Sequence, residues 1–207
     1  RMFALFVSAF VTFLVVIDPP GCAPIFAGLT AGATSAQRRA MAIRAVFVAA
    51  CILLVFALFG EPFLDALGIS LDAFRIAGGI MLFLIAIDMV FEKRTERREN
   101  RAQKLKETPE IEDVSIFPMA MPMIAGPGSI SAIMLMTARS QGVESTLTVL
   151  AAMVSVMVLT LLALLLAAPI MKVVGPRIEL VITRLLGVIL AALAAQFVID
   201  GLKASFA

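Results

Sequence analysis

The stretch Val15–Phe26, VVIDPPGCAPIF, decides how this chain is read. It lies inside an apolar run, Met2–Gln37, whose only charge is Asp18. Pro19, Pro20 and Pro24 have no N–H to donate, and each ring clashes with the turn before it. Asp18 is fifteen residues beyond Phe3, roughly 22 Å along a helix at 1.5 Å per residue. Irregular backbone at that depth persists only where protein or a water-filled cavity satisfies it. The stretch predicts a helix broken around Asp18, with Gly21 as its flexible point and Pro24 in the first turn of the helix that follows.

The surroundings fix the solvent. Of 207 residues, 61% are hydrophobic and 15% charged, against about 25% charged in soluble domains. Further apolar runs span Ala45–Gly60, Ile76–Phe91 (interrupted by Asp88), Val114–Ala138, Ser145–Met171 and Leu185–Ile199. A crossing helix needs about 20 residues, fewer where flanking Arg or Lys reach the interface; Arg44, Arg75 and Arg184 flank the shorter runs. The expected fold is an all-α polytopic membrane protein with six transmembrane helices. The runs do not alternate, which excludes a membrane β-barrel. A signal peptide after Arg1 is the other reading of the first run, and the return of its motif later in the chain weighs against it. Cys22 and Cys51 lie in apolar runs and read as small buried hydrophobes. With no His, Trp or Tyr, imidazole chemistry is absent and the interfacial aromatic positions fall to Phe or are left out.

Six spans divide the basic residues unevenly. One side collects thirteen, in Arg38–Arg44, Lys93–Lys106 and Lys172–Arg184; the other has Arg1, Arg75, Arg139 and Lys203. The richer side is expected to be cytoplasmic, with both termini periplasmic. Glu92–Val114 carries seven basic and seven acidic residues. It reads as a solvated cytoplasmic linker, with a headgroup-binding or regulatory helix as the sharper alternative.

The helix breakers also repeat. Pro20-Gly21 returns as Pro127-Gly128, Pro62 as Pro169, Gly68 as Gly175 and Asp72 as Glu179, all at one constant offset. Arg75 and Gly78 return as Arg184 and Gly187, with the offset lengthened by two positions. The expectation is two three-helix repeats, residues 1–91 and 114–207, joined by the linker 92–113. An odd number of spans per half inverts the second repeat, an arrangement frequent in secondary transporters. Helices 1 and 4 are then the broken ones.

Each break would expose N–H groups at one half-helix N-terminus and C=O groups at the other half's C-terminus, attractive to carboxylate and ammonium respectively. The matching second break reads MPMIAGPGSISAIM, Met121–Met134, with Gly126, Pro127 and Gly128 at the gap and Ser129 opening the next half-helix. The candidate substrate site comprises Asp18, Pro20, Gly21, Cys22, Ala23, Pro24, Gly126, Pro127, Gly128 and Ser129. Packed kinks are the bland alternative. Asp18 is also the candidate for proton or cation coupling, its competing role being to cap the following turn. Asp88 and Gln196 are secondary candidates; interfacial placement and an interhelical hydrogen bond are their structural readings. Gly78, Gly79 and Gly187 read as close-packing positions.

FVTFLVVIDPPGCAPIF and PMIAGPGSIS together resemble the paired signatures of the MarC family of bacterial inner-membrane proteins. The resemblance covers essentially the whole chain and departs at Cys22, where the family usually has Asn. It implies kinship with LysE-type exporters and secondary transport of small neutral amino acids of the glycine or alanine kind, bound at midplane between helices 1 and 4. The implied partners are a small zwitterionic solute, the bilayer, and protons or cations as coupling ions, with oligomers allowed. A channel-like facilitator or an exporter of another small solute is the alternative. No zinc-protease, nucleophile-elbow or Ser/His signature occurs, so the chain is not expected to be an enzyme; no cofactor, metal or nucleic-acid partner is expected.

Overall fold

In the computed structural model, residues 2–91, 113–138, 140, 142–169 and 175–206 are described, with the side chains of 175–177 and 179 excepted. The described residues are helical, with no strand among them. Helices α1 (Met2–Ile17) and α2 (Pro19–Leu29) adjoin at Asp18, followed by α3 (Ser35–Ala66) and α4 (Leu71–Val90). After the linker come the π-type segment α5 (Ser115–Ile124), α6 (Pro127–Ala138), α7 (Val143–Leu165) and α8 (Gly175–Ser205). Five runs are long and apolar enough to cross a membrane, and a sixth arises when α5 and α6, bent by 54°, count as one span. The linker lies outside the described residues except for Asp113.

Local chemistry sets the ends. Thr34 starts α3 with a capping box: its hydroxyl accepts from Gln37 N, while Thr34 N donates to Gln37 Oε1 at 2.9 Å. Gly68, at φ +69°, turns the chain after α3, and Ser70 caps α4 through Ala73 N. Strong ends make α3 longer than its apolar run. Arg38, Arg39 and Arg44 therefore sit in its first turns and Pro62 near its end, and none of these belongs to a loop or a break. Arg75 and Arg184 likewise lie within α4 and α8 rather than flanking them.

Packing crosses between the halves. The α1 and α2 helices pack on α7, while α5 and α6 pack on α3. The most extensive contact is between α4 and α8, which run antiparallel. Small residues let them approach: a Cβ on Gly79 would lie 2.9 Å from Ala194 O, one on Gly187 3.2 Å from Ala86 O, and one on Gly201 3.0 Å from Asp72 O. The close-packing expectation for Gly79 and Gly187 is met. Gly78 is close-packed as well, against Leu135 and Ser131 of α6. One core, centred on Phe13, Ile17, Phe26, Leu53, Leu82 and Leu135, unites all of these.

The outer surface is apolar, as a bilayer requires. Phe3, Phe63, Phe91 and Phe206 near helix ends are exposed, as are Phe47, Phe59 and Phe83 within the helices. Cys51 is a correction: it lies on the exposed face of α3, whereas Cys22 is buried. An apolar run that faces lipid does not distinguish outside from inside by composition.

Candidate functional site

At the first junction a single residue leaves the helical conformation. Asp18 takes the left-handed conformation, φ 57° and ψ 64°, which Asp tolerates better than most side chains. The turning residue is Asp18, and Gly21 is an ordinary buried helical residue of α2. The reason lies in the hydrogen bonds. Asp18 N donates to Leu14 O, closing α1, while Asp18 O accepts from both Gly21 N and Cys22 N at 3.0 Å. Its Oδ1 accepts from Gly21 N at 3.2 Å. Pro19 and Pro20 need no cap, so α2 begins at once. Pro24 accordingly lies in the interior of α2, not in its first turn.

This geometry reverses one expectation. The first turn of α2 offers no free N–H: its prolines have none, and Asp18 holds the amides of Gly21 and Cys22. The acceptors are what accumulate. Pro19 stands where the helical donor to Val15 O would be, and Gly21 N goes to Asp18 instead of Ile17 O. Cys22 Sγ donates to Ile17 O at 3.4 Å. With the Asp18 carboxyl group only 1% exposed beside them, the first junction is rich in acceptors. These carbonyls were not among the sequence candidates, although Pro19, counted four residues back, points to the first of them.

The second junction has the opposite polarity. In α5, Phe117 and Met121 are extended (ψ 125° and 127°) because each precedes a proline. Ala125 N reaches Ala120 O at 2.9 Å, and Gly126 O accepts from Ile130 N to start α6. Pro127 opens the helix, leaving Gly128 N and Ser129 N without intrahelical acceptors. Ser129 Oγ donates to Ile124 O at 2.7 Å. Gly126 is sterically obligatory: a Cβ there would lie 2.4 Å from Pro122 O.

The two junctions meet. A Cβ on Gly128 would stand 3.1 Å from Val16 Cγ1 and 2.6 Å from Ile85 Cδ1, with Leu82 completing the contact. Gly128 is therefore packed under α1 and α4 in this conformation and does not line an open space. Asp18, Gly21, Cys22, Ala23, Gly126, Gly128 and Ser129 are each buried, and the contact between the two junctions runs through Val16 and Gly128; Pro20 and Pro24 are half-buried and Pro127 is exposed. The secondary candidates do not join them. Asp88 is half-buried in the last turn of α4. Gln196 is exposed on α8 and bonds Asp200 Oδ1 of its own helix at 2.6 Å, so it is neither interior nor interhelical. Among the described residues no cluster of three or more His, Cys, Asp or Glu is placed to hold a metal ion.

Comparison with known proteins places this arrangement in a family context. Residues 3–206 match the family described as MarC family integral membrane protein. A UPF0056 membrane protein of Methanocaldococcus jannaschii is 36% identical over 198 residues, covering 96% of each chain. The UPF0056 membrane protein YvbG of Bacillus subtilis is 36% identical over 99% of this chain and 97% of its own. The Escherichia coli protein YhcE is 32% identical over 99% and 94% respectively. No solved structure matches.

Proposed function

The chain belongs to the MarC family of integral membrane proteins, and from that premise we propose that it is a secondary transporter of small neutral amino acids. The observation that carries this reading is the opposed polarity of two junctions in contact through Val16 and Gly128. The ammonium group of a glycine- or alanine-like solute goes to the Asp18 carboxylate and the Val15 carbonyl. Its carboxylate goes to the amides of Gly128 and Ser129. Binding needs Ile85 and Leu82 to withdraw from Gly128, which gives the site an occluded and an open state.

Within this proposal the chain is an inverted repeat in the inner membrane, with the arginine-bearing face cytoplasmic and the termini periplasmic. Paired details support the repeat. Cys22 Sγ to Ile17 O and Ser129 Oγ to Ile124 O are the same bond at the offset that relates Pro20 to Pro127. So are Thr30 Oγ1 to Phe26 O and Thr137 Oγ1 to Ile133 O. Gly79 meets Ala194 and Val198 as Gly187 meets Ala86 and Val90, with that offset lengthened by a single position, so that Gly79 replaces Gly78 as the counterpart of Gly187. A crossed packing of α1 on α7 and α5 on α3 is what a two-fold axis between the halves would produce.

The test is counterflow into proteoliposomes preloaded with unlabelled glycine or alanine. Saturable, accelerated entry of labelled amino acid is the expected result, lost in Asp18→Asn. Flux without saturation or counterflow would return the protein to the facilitator class. Absence of exchange across neutral amino acids would reject the substrate class.

A further inference from the structure

A cavity of about 230 Å³ opens where the C-terminal end of α2, the start of α3 and the end of α7 meet. It is distinct from the Asp18 and Gly128 junctions: its wall from α2 is Phe26, Ala27 and Thr30, a helix length from Asp18. Its back is apolar and fully buried, with Phe26 1% and Leu164 2% exposed. Thr30 is buried too, but its hydroxyl is turned onto Phe26 O. Its rim is cationic. Arg38 and Arg39 line it together with Ser35, the first residue of α3.

The rim is built rather than merely basic. Arg38 Nε and Nη2 donate to Ala33 O at 3.2 and 3.1 Å, which ties the guanidinium to the α2–α3 turn. The positive end of the α3 dipole reinforces that charge. The capping box takes Gln37 N, so the amides before it are those with no intrahelical acceptor. Arg38 is half-buried and Arg39 exposed, so a charge-assisted bond to Arg38 at the edge of the apolar wall is less screened than one in open water. Its volume is below that of drug-sized pockets, which suits a small group.

We propose that this cavity is an oxyanion site: it holds a carboxylate or phosphate oxygen against Arg38 and Arg39, with a small apolar body against Phe26 and Leu164. A solute carboxylate and a lipid headgroup phosphate share that chemistry, and the experiment separates them. The site stands independently of any transport activity.

The probe is a cysteine at the rim, Ser35→Cys, in the full chain carrying Cys51→Ser, with the Cys51→Ser chain as the blank for buried Cys22. The chain is placed in phosphatidylcholine discs and labelled with N-ethylmaleimide, a neutral reagent. With no gradient present, the readout is occupancy alone. Alanine at about twice its dissociation constant is expected to slow labelling about threefold; alaninamide, lacking the carboxylate, is expected to leave it unchanged. Slowing by inorganic phosphate, or by phosphatidylglycerol in the disc without solute, assigns the same site to phosphate and supports it equally. Protection is expected to vanish in Arg38→Gln/Arg39→Gln and to survive in Arg38→Lys/Arg39→Lys, the folding control. The proposal is overturned if alanine, phosphate and phosphatidylglycerol all leave labelling unchanged, or if protection persists once both positive charges are gone. Protection without counterflow would reject the transport reading alone, and counterflow without protection would reject this site alone.

Discussion

Asp18 combines two duties, one of its backbone and one of its side chain. Its backbone must sit at φ 57°, and its carboxyl group must accept from Gly21 N. Asn keeps both the left-handed tolerance and an acceptor oxygen, so Asp18→Asn isolates the charge. We expect it to fold with a stability change within about 1 kcal/mol while losing gradient-driven exchange. Asp18→Ala forfeits conformation and cap together and is expected to cost about 2–3 kcal/mol. Denaturation in detergent ranks the three; equal stability of the Ala and Asn variants would reject the capping role. Gly126 makes a sharper steric demand. Its missing Cβ would meet the Pro122 carbonyl, which is backbone and cannot step aside. Gly126→Ala is expected to cost about 1–3 kcal/mol or more. Gly60→Ala should be milder, because the atoms it meets belong to the flexible side chain of Met134. A lower melting temperature for the Gly60 variant than for the Gly126 variant would contradict this.

Between elements, Arg44 of α3 is ion-paired with Asp113, just before α5. Burial pushes the Asp113 carboxyl group up, but hydrogen bonding from Ser115 and the Arg44 charge together hold it below the usual carboxylate range. A depressed folded-state pKa stabilises above the ordinary value and stops stabilising as pH falls through the folded one. Asp113→Asn is therefore expected to be less stable than the parent at pH 7, by at most about 1 kcal/mol because both partners are partly exposed. The difference should close as pH falls below about 4, and a gap constant from neutral to acid pH would show that the ion pair contributes nothing. This contact joins residues 69 apart in sequence, so nothing local announced it. Spans were legible because apolar runs report helices long and apolar enough to cross a membrane, whereas the proposed repeat rests on where prolines and glycines recur. Element ends were less so: Thr34 and Gln37 cap α3 well before its apolar run begins. At the first junction the prolines marked where Asp18 leaves the helical conformation, but the polarity of that junction was misjudged. Pro19 and Pro20 delete donors outright, and Asp18 consumes the next two.

Across the whole molecule, the proposed repeat makes an asymmetry informative. At the offset that relates Pro20 to Pro127, Ala27 corresponds to Met134 and Gly60 to Ala167. On the arginine-bearing face, Ala27 and Ala167 line the open cavity. At the corresponding place on the other face, Met134 lies across Gly60, its Cγ 2.7 Å from where a Cβ would be, and it is 5% exposed. A large side chain over a glycine closes one side, and two alanines leave the other open. Alternating access between inverted halves requires such a difference to be reversible. Exchanging the residues should reverse its sign: Ala27→Met with Ala167→Gly rebuilds the closed arrangement on the arginine-bearing face, while Met134→Ala loosens the other. The combined variant is expected to label several-fold more slowly at Ser35→Cys and several-fold faster at Thr137→Cys than the parent. Met134→Ala by itself can cost about 2–5 kcal/mol in a packed site, so Met134→Leu, which conserves volume, serves as the control and should leave Thr137→Cys labelling unchanged. Equal labelling of both positions in parent and exchanged chains would mean that Met134 and Gly60 only pack the core, and the two faces would then differ for reasons unrelated to transport.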